Sequence, residues 1–265
     1  MNNTFDLKRF GKYFRYDLVS AWQNAGVSVL TIAAMPVWFF VIVQLVSLVF
    51  NGRFGNLNTA GILSAYMVSF ILALLFFPVQ LYGRLTEKKA GSDWILLPAS
   101  RFEKFLSMLL LTCVVLPAVW LCVIASCDGI LTLLFSNYAG MGLVTVMDGL
   151  TTAMNEVHGE NVELAFSAPY MLYLEWCGNI LLFTLGAIFF RKNKIVYTFL
   201  SIFAISLVAV LAVGLIFGGN INIEPQDISE DRFMRLFNMG LYLFYIVSFA
   251  LLDLGIYFRI KTLKH

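Results

Sequence analysis

The strongest constraint on this chain is a set of long stretches that lack charged side chains. None occurs between Ala25 and Phe50, Thr59 and Tyr82, Phe105 and Ala125, or Ile195 and Gly218. Two further apolar stretches, Pro169 to Phe190 and Phe237 to Tyr257, carry one carboxylate each, Glu175 and Asp253. A helix rises about 1.5 Å per residue, so about 20 apolar residues cross a hydrocarbon core of about 30 Å. In lipid every backbone amide and carbonyl must find its partner inside the protein, which leaves only helices and closed barrels. No stretch alternates with period two. The sequence therefore predicts an all-α polytopic membrane protein: a single transmembrane domain over 1–265 with six spans at about 25–50, 59–82, 105–125, 169–190, 195–218 and 237–257. The third has an apolar extension to Phe135.

Only 13% of the residues are charged, against about 25% in soluble domains, which excludes a disordered or soluble class. The net charge of +2 provides no bulk basic surface, so no nucleic-acid partner is expected. The distribution of the charges carries more information. Lys8, Arg9, Lys12 and Arg15, then Arg84, Lys88, Lys89, Arg101 and Lys104, then Arg191, Lys192 and Lys194, and finally Arg259, Lys261 and Lys264 all fall on one side of the six spans. Only Arg53, Arg232 and Arg235 fall on the other. Basic residues resist translocation, so both termini are placed inside, with multi-pass insertion in a cytoplasmic (inner) membrane. Ten of the 16 acids lie in or beside the outer segments, from Asp128 to Glu175 and from Glu224 to Asp231. The first apolar run is too long for a cleavable signal and has no Ala-x-Ala site after it, so it is read as a retained anchor. The four cysteines, Cys113, Cys122, Cys127 and Cys177, lack metal-ligand spacing and are read as packing residues. Cys122 and Cys127 face different sides of a continuous helix.

Residues 5–22 have a different pattern. Leu7, Phe10, Phe14, Leu18 and Ala21 share one helical face, while Lys8, Lys12 and Arg15 cluster on another. Such a helix suits the headgroup plane, with Trp22 at the interface. It serves either as a flanking anchor or as a lever between a soluble partner and the first span.

The most informative loop is Gly83 to Lys104. Thr86 to Lys89 predict a helical turn interrupted at Gly91. Ser92 or Asp93 would cap a second short helix carrying Trp94 to Leu97, and Pro98 would stop it. Ser100 and Glu103 match a capping box that starts the third span. The apolar tip either dips into the interface or meets the groove of a soluble partner.

The amphipathic amino-terminal helix, the six spans and the run from Leu97 to Phe105 (Leu-Pro-Ala-Ser-Arg-Phe-Glu-Lys-Phe) together resemble bacterial ABC type-2 exporter permeases. More narrowly, that run is similar to the LPAS-x-x-EKF signature of a permease-like subgroup. The resemblance implies that 5–22 corresponds to a connecting helix and Thr86 to Leu97 to a coupling helix resting on a separate ABC ATPase subunit. The coupling residues would be Glu87, Lys88, Lys89, Asp93, Trp94, Leu97 and Glu103. The working unit would be a homodimer or a pair with a second permease, embedded in the lipid bilayer. ATP would bind the partner subunit. No GxxxxGK[ST] loop occurs in this chain, so no cofactor is expected in it. The alternative is a six-span scaffold or an ion-coupled secondary transporter with no ATPase partner.

Between the third and fourth spans, Leu143, Met147, Leu150, Met154 and Val157 repeat at helical spacing. They predict an outer amphipathic or re-entrant helix. ABC type-2 permeases usually place their outer re-entrant element between the last two spans instead, a departure from the family pattern. Glu156, His158, Glu160 and Glu163 are read as a solvated acidic loop rather than a metal site. Glu175 is a possible pathway residue, with a structural hydrogen bond as the alternative. Asp253 is expected to snorkel with Arg259 or Lys261. With two histidines, His158 and His265, and no HExxH or GxSxG motif, the chain is not expected to be an enzyme.

Overall fold

The computed structural model describes residues 5–53, 55, 59–135, 168–217 and 230–262. Every regular element among them is helical: α1 (Leu7–Ala33), α2 (Met35–Asn51), α3 (Thr59–Tyr82), α4 (Lys88–Leu96), α5 (Arg101–Leu134), α6 (Ala168–Phe189), α7 (Lys194–Phe217) and α8 (Glu230–Thr262). Helices α3, α5, α6 and α8 are each long and apolar enough to cross a membrane, and the bent pair α1 and α2 makes a fifth candidate. The fold is that of an α-helical membrane protein. The expected helix between the third and fourth spans, with Glu156, His158, Glu160 and Glu163, lies outside the described residues.

α3 is central. It packs against α1, α2 and α6, while α6 also holds α7 and α8, and α5 reaches α1 and α8. Two prolines explain how these helices lock together. A proline has no amide hydrogen, so within a helix it strands the carbonyl four residues earlier. Pro36 strands the Ile32 carbonyl, and α1 ends at Ala33, bent 42° from α2. The Ser69 hydroxyl of α3 donates to that carbonyl at 2.7 Å, and the Trp120 Nε1 of α5 donates to Ser69 Oγ at 3.3 Å. Pro117 likewise strands the Cys113 carbonyl, and α5 widens into a π-helical turn over Leu111–Val115 just before it. Tyr173 Oη of α6 donates to Cys113 O at 3.0 Å, and Trp176 Nε1 donates to Thr112 O at 3.3 Å. Each backbone defect thus becomes a contact between helices.

The indoles that make these bonds also build the core. Trp120, Trp176 and Phe70 pack mutually with ring centroids 5.4 to 5.8 Å apart, tilted or edge to face, joining α3, α5 and α6. Toward one end, Tyr66 Oη donates to Asp128 Oδ1 at 2.9 Å. Cys122 and Cys127 lie on an unbroken part of α5, and both are free thiols.

α7 contacts the bundle along one edge and exposes Val196, Leu200, Phe203 and Ile205. Its close approach depends on Gly186 of α6, where an added Cβ would overlap the Thr198 side chain. Gly186→Ala is expected to cost about 1–3 kcal/mol by overpacking, read as a lower unfolding temperature in detergent. Thr198→Ala in the same chain should recover part of the loss, because it removes two of the three overlapping atoms.

Two expectations change here. Residues 5–22 are not a separate element, because α1 continues unbroken to Ala33. No proline occurs before Pro36, and Gly26 stays helical beneath the Trp22 ring, which would lie 2.9 Å from a Cβ at that position. Gly91 does not interrupt the loop helix either. A 3-10 turn over Gly83–Thr86 leads to Glu87, the N-cap of α4, and α4 runs through Gly91 to Leu96. A single glycine costs a helix only about 1 kcal/mol relative to alanine, and the tertiary bonds described below outweigh that.

Candidate functional site at the basic end of the bundle

At the end where most basic residues gather, α1, α4 and the start of α5 form one joint. Its centre is Glu103. Ser100 caps α5, accepting from the Glu103 amide at 3.2 Å, while Glu103 Oε2 accepts from the Ser100 amide at 2.8 Å. The sequence predicts this box, but its carboxylate does more than cap. Arg9 of α1 donates through Nε to Oε2 at 2.9 Å and through Nη2 to Oε1 at 2.6 Å, and the Asp6 amide donates to Oε1 at 3.0 Å. The Glu103 side chain is 0% exposed and that of Arg9 31%. The guanidinium beside it, followed by the Asp6 and Ser100 amides, holds the Glu103 carboxyl down at about 2. The apolar part of α5 begins only at Phe105, which leaves this group at the lip of the bundle.

Lys104, the next residue, fastens α4. Its Nζ donates to Trp94 O at 2.7 Å and Ile95 O at 3.1 Å, and lies 4.7 Å from the centre of the Trp94 ring. A cation thus satisfies carbonyls in the last turn of α4, where the helix dipole favours positive charge. Pro98 follows immediately. Trp94 also lies beside the buried Tyr13 of α1.

The face of α1 that packs here is not the one the apolar pattern marks. Arg9, Tyr13 and Asp17, spaced by four, point into the joint, and Asn24 continues the line. Asp17 Oδ2 accepts from Ser107 Oγ at 2.6 Å and from Tyr82 Oη at 3.3 Å, and Asn24 Oδ1 accepts from Arg84 Nη1 at 3.0 Å. Leu7, Trp22, Lys8, Lys12 and Arg15 are exposed instead. Asp17→Ala would leave two hydroxyls without their acceptor, at an expected cost of about 1–3 kcal/mol. Asp17→Asn, which keeps an acceptor oxygen, should cost less in the same unfolding assay.

The joint also reaches α7. Lys194 Nζ donates to the Gly83 carbonyl, and a Cβ at Gly83 would lie 3.2 Å from that Nζ. Below the joint, Tyr82, Leu85, Met108, Leu181, Ile256 and Ile260 form a small core against which Trp94 packs.

The loop residues expected to couple to a partner divide into two groups. Glu103 is enclosed by its bonds to α1, while Trp94 and Leu97 are half-buried. Glu87 and Asp93 are exposed. Lys88 and Lys89 stand in the first turn of α4, with side chains outside the described set. Leu96, 77% exposed at the end of α4, and the exposed Ile95 belong to the apolar tip that the sequence predicts, although the coupling residues named there do not include them. Phe102 is also exposed and meets Phe5 edge to face, with centroids 5.9 Å apart.

The carboxylates within the spans have local roles. Glu175 accepts from Asn179 Nδ2 at 2.9 Å and from Tyr245 Oη at 3.1 Å, tying α6 to α8. Asp253 does not pair with Arg259. Arg259 Nε donates to Ile188 O at 3.0 Å, and one buried Asp253 oxygen has no hydrogen-bond partner among the described residues. Arg259 is drawn away by the Ile188 carbonyl in the last turn of α6. Among the described residues no group of three or more His, Cys, Asp or Glu could hold a metal ion.

These features define a helical membrane protein with a short helix clamped at its basic end. Comparison with known protein families, with curated proteins and with solved structures finds no match for the chain.

Proposed function

We propose that this chain is the membrane-spanning permease subunit of an ABC-type transporter, an exporter, with six spans and both termini in the cytoplasm. A separate ATPase subunit would dock on the loop 83–104. The reading is supported by the resemblance of Leu97 to Phe105 to the permease-like signature and by the mechanical arrangement of α4. The single observation that carries it is the clamp: Lys104 holds the end of α4, while Glu103, one residue earlier, holds α1 through Arg9 and the Asp6 amide. A force applied to α4 would therefore act on the first and third spans together. A loop that merely joined two spans would need none of these bonds. The exposed tip at Ile95 and Leu96 supplies an apolar anchor, and Glu87 and Asp93 supply charges around it.

The experiment is affinity purification of the full chain from native membranes, followed by identification of co-purifying ATPase subunits. The expected result is one ATP-binding-cassette subunit in stoichiometric amount. Leu96→Glu should weaken its retention by about tenfold or more, because an apolar anchor becomes a desolvated charge. Recovery of folded protein without an ATPase, or undiminished retention by Leu96→Glu, would overturn the proposal.

A further inference from the structure

Between α6, α7 and α8, at the same basic end, lies an open trough of about 570 Å³. That volume falls within the about 300–1,000 Å³ of small-molecule sites. Its lining is apolar almost throughout, with Leu185, Ile202 and Ile205 typical. Thr198 and Ser201 also line it, but their hydroxyls donate back to the carbonyls of Lys194 and Tyr197. They therefore present little free polarity to an occupant.

One ionic group interrupts this surface. Arg259 sits in the lining near the carboxyl end of α8, half-buried. Its Nε is used by Ile188 O, and its guanidinium carbon lies 5.3 Å from the Phe189 ring centre. The fork is thus held in place, while no ion pair engages it: the pair between Arg9 and Glu103 is the only one among the described residues. No acidic residue lines the trough. Arg191 and Lys192, exposed in the turn just after α6, add positive charge beside the aromatic residues at its mouth. An apolar slot with a fixed guanidinium at the headgroup end complements an amphiphile with an acyl tail and an anionic head.

We propose that the trough is a binding site for one anionic phospholipid, with an acyl chain between α7 and α8 and the phosphate on the Arg259 guanidinium. This rests on the chain being membrane-embedded and is independent of any ATPase partner.

The test is native mass spectrometry of the full chain in detergent, titrated separately with phosphatidylglycerol, with phosphatidylcholine of the same acyl chains, and with glycerol 3-phosphate. The expected result is one phosphatidylglycerol bound about tenfold more tightly than phosphatidylcholine, which carries the same phosphate but adds a choline cation that Arg259, Arg191 and Lys192 repel. Glycerol 3-phosphate should not compete. Arg259→Gln should abolish the preference and Arg259→Lys should keep part of it. Ser201→Phe, which fills the trough and leaves the guanidinium untouched, should reduce binding of both lipids. Equal affinity for the two lipids in the wild-type chain, a preference that survives Arg259→Gln, or full binding by Ser201→Phe would each overturn the assignment. Competition by glycerol 3-phosphate would show a free-anion site instead.

Discussion

Glu103→Ala is expected to release the amino-terminal part of α1 from the bundle. The substitution removes the acceptor of five hydrogen-bond contacts at once: three from Arg9, whose Nε is shared between the two oxygens, one from the Asp6 amide and one from the Ser100 amide. The Ser100 hydroxyl still caps α5 through the backbone amide of residue 103, but the buried Ser100 amide left unpaired costs about 1–3 kcal/mol. Protease protection around Asp6 to Tyr13 should fall sharply, while the apolar part of α5 stays helical. Glu103→Gln keeps the shape, but it turns an amide donor toward groups that are all donors, so it should resemble alanine more than wild type. The same joint has a defined acid response. A carboxyl whose folded value is lowered from 4.5 to about 2 contributes stability that is fully present above the ordinary value and is lost as pH falls through about 2. Protection of the α1 terminus should therefore decline over that window, and Glu103→Ala should remove the decline. An unchanged pH profile in the variant would show that another group controls it.

Trp176→Ala should be the most destabilising single change in the interior. The side chain is 2% exposed. Its ring packs on both Phe70 and Trp120, and its Nε1 occupies the Thr112 carbonyl in the π-helical turn. Truncating a buried aromatic costs about 3–5 kcal/mol, and here a backbone carbonyl is stranded as well. Trp176→Phe separates the two effects: it keeps most of the packing and loses only the bond, at about 1–3 kcal/mol. Thermal unfolding in a fixed detergent reads both. If Trp176→Phe equals wild type, the carbonyl at Thr112 has found another donor, and the proline-linked account of α5 fails at that point.

Much of the helix inventory was legible because apolar length is a one-dimensional property. α3 occupies Thr59–Tyr82, α6 begins at Ala168 and α7 at Lys194, each within a residue of where its span is expected to begin. α8 was less legible. It extends from Glu230 to Thr262 because charges end an apolar run without ending a helix. The capping box at Ser100 and Glu103 could also be read, since both partners lie within one turn. Arg9 could not, because its contact with Glu103 joins residues 94 positions apart. The face of α1 was misleading for a related reason. An apolar stripe marks what avoids water, and in a membrane lipid can take that stripe while a polar line of Arg9, Tyr13 and Asp17 packs against the protein.

The sequence by itself determined that this chain is a helical membrane protein, since stretches without charge and of bilayer length leave a backbone no other way to satisfy its hydrogen bonds in lipid. It also determined that backbone carbonyls are stranded before Pro36 and Pro117, because each lacks an amide hydrogen. Only the tertiary structure decided which neighbours answer the stranded carbonyls, which side of α1 faces inward, and that α4 is clamped to α1 and α5 rather than hanging between spans. Those outcomes depend on donors and acceptors that meet across the bundle, and no spacing along the chain encodes such a meeting.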